Sequence, residues 1–433
     1  MWKLWKKNKT VIQKSSILVF GLASLGFLTT FALQPSVRST AAIPKPKLNS
    51  KRHALIKNLK NWGIYNGSKS HSHVDALSAW DIEDGSKDIV VAVIDTGIDN
   101  QHPDLKSNIW KSNNGVMQNC SSSSGLRPSR EVQNQKIRLN FNQPSNETTS
   151  RQGALFGWDL VTNQPNPSDD HGHGTHVAGI IGATANPQKG ISGVAQKVSL
   201  MAVKYYSQTN SGLMNLQNTV RGIHCAVDNG AKIINYSGGG PKYSHEEYLA
   251  IKKAESKGVL IVAAAGNNSQ DTDKPENRYY PAAYRTSNVI SVAAIDIQNK
   301  LLSSSNWGMG IDVAAPGEDI YSTLPGGGYG KMTGTSQATA FVSGIAALIL
   351  AKKPHLSPSE VIKLIRDSVV PIKSLKEKIR TGGRVSAFRA LRKLLNPDES
   401  LPGIVAFRRD GLSTLLKSPF VSDSVEGVNE VHF

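Results

Sequence analysis

An uninterrupted run of aliphatic residues at positions 89–94 is the feature that most constrains the fold of this chain. Such a run, rich in β-branched side chains, is typical of a parallel strand that is buried on both faces. Segments with helical periodicity separate it from similar runs at 198–205, 232–235, 259–265 and 289–295. This alternation predicts an α/β fold in which a doubly wound, mostly parallel sheet carries helices on both faces, within one large domain.

The composition is that of a large globular protein. Of the 433 residues, 39% are hydrophobic and 19% are charged, which excludes a disordered, collagen-like or coiled-coil chain. Two cysteines exclude a disulfide-rich scaffold and a cysteine-clustered metal site. Cys225 lies in a helical apolar pattern and Cys120 in a polar segment, so we expect both to be free thiols.

The net charge of +17 raises the question of a nucleic-acid partner. Residues 1–60 contain 12 Lys and Arg and no acidic residue, so most of the excess lies at the N-terminus. A second basic cluster at 351–395 is expected to form the solvated surface of helices, because no base-reading motif accompanies it. The sequence therefore predicts no nucleic-acid partner.

The N-terminal region has the layout of a secretory signal. A basic flank precedes an apolar stretch at about residues 17–33 and small residues at 40–42. We expect residues 1–42 to be a cleaved signal peptide and the protein to be secreted or periplasmic. The alternative is an uncleaved anchor, since about 17 residues is the lower limit for crossing a bilayer. A membrane partner follows only from that alternative.

Changes of composition predict the remaining boundaries. Residues 43–60 are expected to form a linker or short pro-segment, and residues 61–395 the folded domain. A polar surface insertion is predicted at 106–157, and a tail without periodicity at 396–433.

Two motifs near the first buried run carry chemistry. Asp95 ends that run, where an acid can belong to a site at the carboxyl edge of a sheet or can cap a turn. The sequence DDHGHGTHVAG at 169–179 contains His171, His173 and His176. Two interpretations are open: the three histidines bind zinc, or His173 is a general base at a helix start and His176 packs inside.

Three later segments carry further candidate groups: a hydroxyl, an amide and a backbone segment with few side chains. Ser336, in GTSQATA at 334–340, precedes a long apolar run and is expected at a helix N-terminus. There it is either a nucleophile, since the helix dipole favours negative charge, or a structural N-cap. Asn267 ends another buried run, where its amide suits an oxyanion and its alternative role is a turn residue. The SGGG segment at 237–240 allows an extended ligand to approach the backbone.

Together these motifs resemble the subtilisin-like serine peptidase family over residues 61–395. VIDTG around Asp95, HGTHVAG from His173, AGN ending at Asn267 and GTS ending at Ser336 stand in the subtilisin order of aspartate, histidine and serine. The resemblance implies a serine endopeptidase with Ser336 as nucleophile and His173 as base. Asp95 would orient the base, and Asn267 would bind the oxyanion.

The resemblance also implies how an extended polypeptide substrate binds. Ser237, Gly238 and Gly239 would pair with it as a strand, and Ala264 would line the primary pocket. Gly238 replaces a larger apolar residue of the family, so we expect a more open distal pocket.

The remaining expectations concern metals and alternatives. The chemistry is expected to need no cofactor. Asp104 and Asn186 partly match the family's calcium loop, so a structural calcium ion is kept as an alternative. We expect a monomer. Two other classes stay open: a zinc hydrolase that uses the three histidines, and a peptide-binding module of the same fold without activity.

Overall fold

The computed structural model describes residues 50–66, 71–112, 115–120, 155–165 and 167–398. The predicted signal peptide, the centre of the predicted insertion and most of the predicted tail lie outside these residues. The helices are α1 (Ser50–Asn58), α2 (Ala76–Ala79), α3 (His173–Gly182), α4 (Gly212–Asp228), α5 (His245–Ser256), α6 (Thr335–Lys352), α7 (Pro358–Asp367) and α8 (Ala387–Leu395). The strands are β1 (Gly85–Asp95), β2 (Gly157–Asp159), β3 (Lys197–Lys204), β4 (Ile233–Tyr236), β5 (Leu260–Ala264), β6 (Val289–Ile295), β7 (Val313–Pro316), β8 (Ile320–Leu324), β9 (Gly328–Met332), β10 (Val370–Pro371) and β11 (Gly383–Arg384). Short 3₁₀ turns cover Pro275–Asn277, Ala282–Tyr284, Pro325–Gly327 and Lys373–Leu375.

Nine of the described strands form one sheet in the order β10-β11-β7-β6-β5-β4-β1-β3-β2. Neighbouring strands are parallel, except for β10 and β11. The chain places β2 and β3 on one side of β1 and then builds β4 to β7 on the other. The carboxyl ends of β1 and β4 therefore adjoin where the strand order reverses, which is where open α/β sheets form ligand crevices.

Alternate side chains of β1 enter two different apolar cores. Val91 and Val93 pack with side chains of α3, α6, α7 and α8. Ala92 and Ile94 pack with side chains of α4 and α5 on the other face. The strand is thus covered on both faces, and the predicted doubly wound, mostly parallel fold is confirmed.

Helix α6 runs through the first of these cores and contacts α3 and strands β1, β4, β5, β6 and β7. All its residues from Thr335 to Leu350 are buried. Among the described residues it is the one helix long and apolar enough to cross a membrane, with a mean hydropathy of 1.2, but 89% of it is buried inside the protein. Its apolar surface is therefore explained by the core.

An antiparallel hairpin of β8 and β9 covers the start of α3. The Thr323 hydroxyl donates to the carbonyl of Thr175 (2.8 Å), and the Ser322 hydroxyl donates to the carbonyl of His176 (2.7 Å). The same hairpin leads directly into α6. It therefore connects the two helices that carry the candidate base and nucleophile at their N-termini.

Part of the segment 43–60, predicted to be a linker or short pro-segment, is folded onto the domain. Its last part forms α1, and Leu55 of this helix is only 2% exposed within the main core. The Lys60 N–H donates to the Gly190 carbonyl (3.0 Å), which ties the end of the segment to the domain. Since α1 has as many basic residues as apolar ones, three of each in nine positions, its composition did not indicate a packed helix.

The described ends of the predicted insertion at 106–157 belong to the edge of the sheet. The Trp110 N–H donates to the Leu200 carbonyl (2.8 Å), and the Leu200 N–H donates to the Asn108 carbonyl (2.7 Å). Gly157 begins β2 at the other end. The insertion is therefore shorter at both ends than the sequence predicted, and its residues 121–154 lie outside the described ones.

The expectation of two free thiols is wrong, because Cys120 and Cys225 form a disulfide with a Cα–Cα distance of 4.7 Å. Residues 115–120 return to the C-terminal end of α4. There the Asn229 amide donates to the carbonyls of Gln118 (2.9 Å) and Cys225 (2.7 Å). The Asn119 amide also donates to Asp228 (2.9 Å). These contacts bring the polar segment back to the helix.

We predict that reduction of this disulfide lowers the free energy of unfolding by about 2–4 kcal/mol, because the bond closes a long loop in the unfolded chain. Thermal denaturation with and without reductant measures the effect. A Cys120→Ser/Cys225→Ser double variant is the control and should melt at the temperature of the reduced protein in both buffers. Two free thiols in the untreated folded protein would contradict the prediction.

Candidate active site

Asp95 ends β1 and is buried, with 3% of its surface exposed. Its Oδ1 accepts hydrogen bonds from the Thr96 N–H (2.8 Å) and from Nδ1 of His173 (2.7 Å). Because a carboxylate only accepts, Nδ1 of His173 carries the proton, and Nε2 of the neutral imidazole is left free to act as a base. The contact fixes both the tautomer and the orientation of the ring.

His173 is the first residue of α3, and its helix approaches the end of β1 very closely. A β-carbon placed on Gly174 would lie 2.1 Å from the Gly97 carbonyl oxygen, so any side chain there would push the helix away. The glycine after His173 is therefore required for the contact between His173 and Asp95. The sequence motif showed this glycine, and the structure gives its physical reason.

The carboxylate of Asp169 holds the turn before α3. It accepts from the backbone N–H groups of His171 (3.0 Å), Gly172 (2.8 Å) and Thr175 (2.8 Å), and from the hydroxyls of Thr175 (2.6 Å) and Thr96 (2.8 Å). Burial opposes ionisation, but these donors, led by Thr175, lower the pKa of Asp169. Thr96 follows Asp95 directly, so Asp169 links the turn before His173 to the strand that ends at Asp95.

The environment of His173 favours its charged form. Burial alone would lower the pKa of the imidazole, but the charge and the hydrogen bond of Asp95 outweigh it, and the pKa of His173 is raised. A base of raised pKa accepts a proton more readily, provided that the pH keeps it neutral beforehand.

His176 and His171 have different surroundings from His173. His176 is buried, its Nε2 faces the carbonyls of Ile320 (2.9 Å) and Gly330 (3.3 Å), and burial lowers its pKa to about 4. The ring of His171 lies against Tyr206. Within the described ranges no three His, Cys, Asp or Glu side chains are grouped as metal ligands. The interpretation of His176 as a packed helix residue is thus confirmed.

Ser336 is the second residue of α6 and is 8% exposed. Its hydroxyl donates to the Ser237 carbonyl (2.8 Å), and the Ser237 hydroxyl donates back to the Ser336 carbonyl (3.0 Å). These two bonds fix the start of α6 against the segment that follows β4. Since α3 starts at the end of the neighbouring strand β1, both helix N-termini lie at the same edge of the sheet.

Asn267 follows β5 and meets the same end of α6. Its Oδ1 accepts the Thr335 N–H (2.9 Å), and the Gly266 N–H donates to the Thr335 hydroxyl (3.3 Å). Because Oδ1 is used in this way, Nδ2 is the donor that the exposed Asn267 side chain offers to the cleft. The structure therefore brings Asn267 and Ser336 together, as it brings Asp95 and His173 together.

The segment 237–239 leaves β4 at the cleft, but its distal side is not open. A β-carbon on Gly238 would lie 2.2 Å from the Tyr205 hydroxyl oxygen, so the Tyr205 side chain occupies the space that a larger residue at position 238 would fill. The expected open distal pocket is wrong at this point. Ala264, the last residue of β5, is 2% exposed.

A family model for the subtilase family matches residues 86–391, more than half of the chain. The chain belongs to the subtilase family. The major intracellular serine protease of Bacillus subtilis (strain 168) is 36% identical over 291 residues, which cover 66% of this chain and 77% of that protein. Thermitase of Thermoactinomyces vulgaris is 33% identical over 302 residues, which cover 70% of this chain and 88% of that protein. The crystal structure of a cold-adapted subtilisin-like serine proteinase matches with a TM-score of 0.51 and 27% identity, over 70% of this chain and 88% of that chain.

The predicted family, fold and enzyme class are therefore confirmed, and this subtilase is a serine endopeptidase. The family assignment also removes the zinc hydrolase as an explanation of the histidine motif. His171 lies in the turn before α3, and His173 and His176 lie in the first turn of that helix.

A buried polar chain supports Ser336 of this subtilase and was missed in the sequence. The Ser343 hydroxyl donates to Oδ1 of Asn235 (2.8 Å), and Nδ2 of Asn235 donates to the Ser237 hydroxyl (2.9 Å). Ser237 then donates to the carbonyl of Ser336. A polar Asn235 within an otherwise aliphatic strand was the only sign in the sequence.

The calcium ligands expected for a subtilase, Asp104 and Asn186, bond to each other. Nδ2 of Asn186 donates to one Asp104 oxygen (2.8 Å) and the Tyr329 hydroxyl donates to the other (2.5 Å). Oδ1 of Asn186 accepts the N–H groups of Gln188 (3.1 Å) and Lys189 (3.2 Å). Calcium needs six to eight oxygen ligands, whereas both oxygens of Asp104 already accept protein donors. These residues do not fit a calcium ion.

Proposed function

We propose that this chain is an exported serine endopeptidase that cleaves extended polypeptides through Asp95, His173, Ser336 and Asn267. The observation that carries the proposal is the hydrogen bond of 2.7 Å from His173 to the buried Asp95. It prepares a base at the sheet edge where α6 begins with Thr335 and Ser336. The enzyme class follows from the family, and the proposal adds the role of each residue.

In the first step, His173 takes the proton of the Ser336 hydroxyl, and the hydroxyl oxygen attacks the carbonyl carbon of the peptide bond. The Ser336 hydroxyl donates to the Ser237 carbonyl in the free enzyme. Rotation about the Cα–Cβ bond of Ser336 would turn it toward Nε2 of His173. Asp95 stabilises the imidazolium that forms and keeps its own charge.

The carbonyl oxygen becomes negatively charged in the tetrahedral intermediate. Two donors at the start of α6 suit it: Nδ2 of Asn267 and the backbone N–H of Ser336. The first N–H groups of a helix have no partner within the helix, and the helix dipole favours negative charge there. Such prearranged donors stabilise the transition state more than the neutral substrate.

Collapse of this intermediate breaks the peptide bond. His173 gives its proton to the leaving amine, and the acyl group stays on Ser336 as an ester. Water then loses a proton to His173 and attacks the ester. His173 gives that proton to the departing Ser336 oxygen, which releases the second product and restores the Ser336 hydroxyl. No cofactor enters this sequence.

The substrate is proposed to be an extended polypeptide. Residues 237–239 continue β4 beyond its ladder with β1 and β5, so their backbone can pair with an added strand. Ser237, Gly238 and Gly239 are the proposed binding segment, and Ala264 the proposed wall of the primary pocket. A folded domain does not present such a strand, which favours unfolded chains and loops.

Export is supported by two independent features. The basic, apolar and small residues of positions 1–42 have the layout of a signal peptide. The disulfide between Cys120 and Cys225 is of the kind that persists in oxidising compartments. Since α1 begins at Ser50 and packs on the domain through Leu55, removal of the N-terminus before Ser50 would leave that contact intact.

We predict a graded loss of peptide hydrolysis in single variants. Ser336→Ala and His173→Ala should remove nearly all turnover, and Asp95→Asn should come close to them, because the three groups act as one unit. Asn267→Ala should reduce turnover by about 10²–10³-fold, the magnitude established for the equivalent donor of subtilisin.

His171→Ala is the matched control for that series and should leave turnover almost unchanged. A fluorophosphonate probe should label the unaltered protein and fail to label Ser336→Ala. Turnover is measured at saturating peptide, with circular dichroism to establish that each variant is folded. An active Ser336→Ala enzyme would refute the assignment.

We also predict the direction of the pH dependence. His173 must be neutral to accept the proton, and its raised pKa means that the neutral form is lost as the pH falls through a value above that of a free imidazole. Asp95→Asn removes the charge that raises this pKa. In the residual activity of that variant, the acid limb of kcat/KM should therefore move to lower pH; an unmoved limb would show that another group controls it.

For export, we predict that the mature protein starts between Ala42 and Ser50. Terminal sequencing of protein from the medium or periplasm of the producing cells measures the new N-terminus. Deletion of residues 1–42 should leave the protein inside the cell while its hydrolytic activity is retained. An intact Met1 on the exported protein would favour the anchor instead.

A further inference from the structure

Two backbone segments flank the nucleophile on either side of a narrow gap. Residues 237–239 follow β4 and bind Ser336 through Ser237. Residues 265–267 follow the adjacent strand β5 and bind Thr335 through Gly266 and Asn267. A substrate that offers its carbonyl carbon to Ser336 and its oxygen to Asn267 must direct the side chain of that residue into the space between the segments.

This gap is lined by glycines, and the ring of Tyr279 fills it. A β-carbon on Gly239 would lie 2.6 Å from Cε1 of Tyr279, and one on Gly266 would lie 2.9 Å from its Cδ2. Cε1 and Cδ2 are on opposite sides of the ring. The phenol therefore spans the gap from one backbone to the other.

Neither wall of the gap is free to move outward. On one side, Gly240 and Tyr280 exchange backbone hydrogen bonds (2.9 and 2.8 Å). On the other, the Asn306 amide donates to the Ala265 carbonyl (2.9 Å), and the Asn306 N–H donates to the Gly266 carbonyl (2.9 Å). The Tyr279 backbone is held as well, because its carbonyl accepts the Ala283 N–H (2.9 Å).

We infer that Tyr279 closes the primary side-chain pocket and limits the residue on the acyl side of the cleaved bond to a small one, such as glycine, alanine or serine. The inference rests on the proposed function and names its substrate class. A small side chain needs only the mouth of the gap, whereas an aromatic one needs the volume that the Tyr279 ring holds. One methylene group too many in a tight pocket already changes kcat/KM by about 10–200-fold.

The test compares two tetrapeptide p-nitroanilides that differ only in the residue before the cleaved bond, alanine or phenylalanine. The unaltered enzyme should prefer alanine by about a hundredfold in kcat/KM. Tyr279→Gly should raise kcat/KM for the phenylalanine substrate by a similar factor and so remove the preference for alanine. Tyr279→Phe is the matched control: it keeps the ring and should keep the preference.

The outcomes separate this inference from the proposed function. If the unaltered enzyme reacts with the fluorophosphonate probe but cleaves the phenylalanine substrate as fast as the alanine one, the pocket inference is overturned and the proposed function stands. The same holds if a folded Tyr279→Gly enzyme keeps the preference. If the protein neither reacts with the probe nor cleaves either substrate, both are overturned. The preference of the unaltered enzyme decides the matter even where Tyr279→Gly fails to fold.

Discussion

The active site depends on one constraint of a parallel sheet: adjacent strands end at the same edge. Asp95 at the end of β1, Ser237 after β4 and Asn267 after β5 are thereby neighbours, although long stretches of chain separate them. The helices then add the remaining groups, since α3 starts against Asp95 and α6 starts against Ser237 and Asn267. Both helices pack into the same core on one face of the sheet, and burial of that face is what fixes them in place.

Buried polar groups hold the turn before His173 and the start of α6 in position. Asp169 binds the turn before His173 to Thr96, and the chain from Ser343 through Asn235 to Ser237 ends on the Ser336 carbonyl. Removing one member of a buried hydrogen bond leaves its partner unsatisfied, at a cost of about 1–3 kcal/mol. Each chain therefore has few alternative arrangements, which keeps the turn before His173 and the backbone at the start of α6 in fixed positions.

The sequence predicted the parts of the molecule that local pattern determines. The run at 89–94 has the composition of a strand buried on both faces, and in the structure it lies inside the sheet, between β3 and β4. Asp95, His173, Asn267 and Ser336 were found because short motifs surround each of them. The Cys120–Cys225 disulfide could not be found in this way, because it depends on residues 115–120 returning to α4, across a separation of 105 residues. Helix α1 was missed because the few apolar residues around Leu55 are matched in number by basic residues.

The substrate side of the cleft shows most clearly what a local pattern leaves out. A glycine indicates that its own position contributes no side chain, but it does not say which other side chain takes the space. At Gly238 the space is occupied by the side chain of Tyr205, which follows β3. Between Gly239 and Gly266 the space is occupied by the ring of Tyr279, two residues before Pro281. Both tyrosines reach the cleft from other parts of the chain. Short motifs around Asp95, His173, Asn267 and Ser336 therefore predict the chemistry of the site. Its selectivity depends on large side chains from other segments, which occupy the space beside the glycines of those motifs.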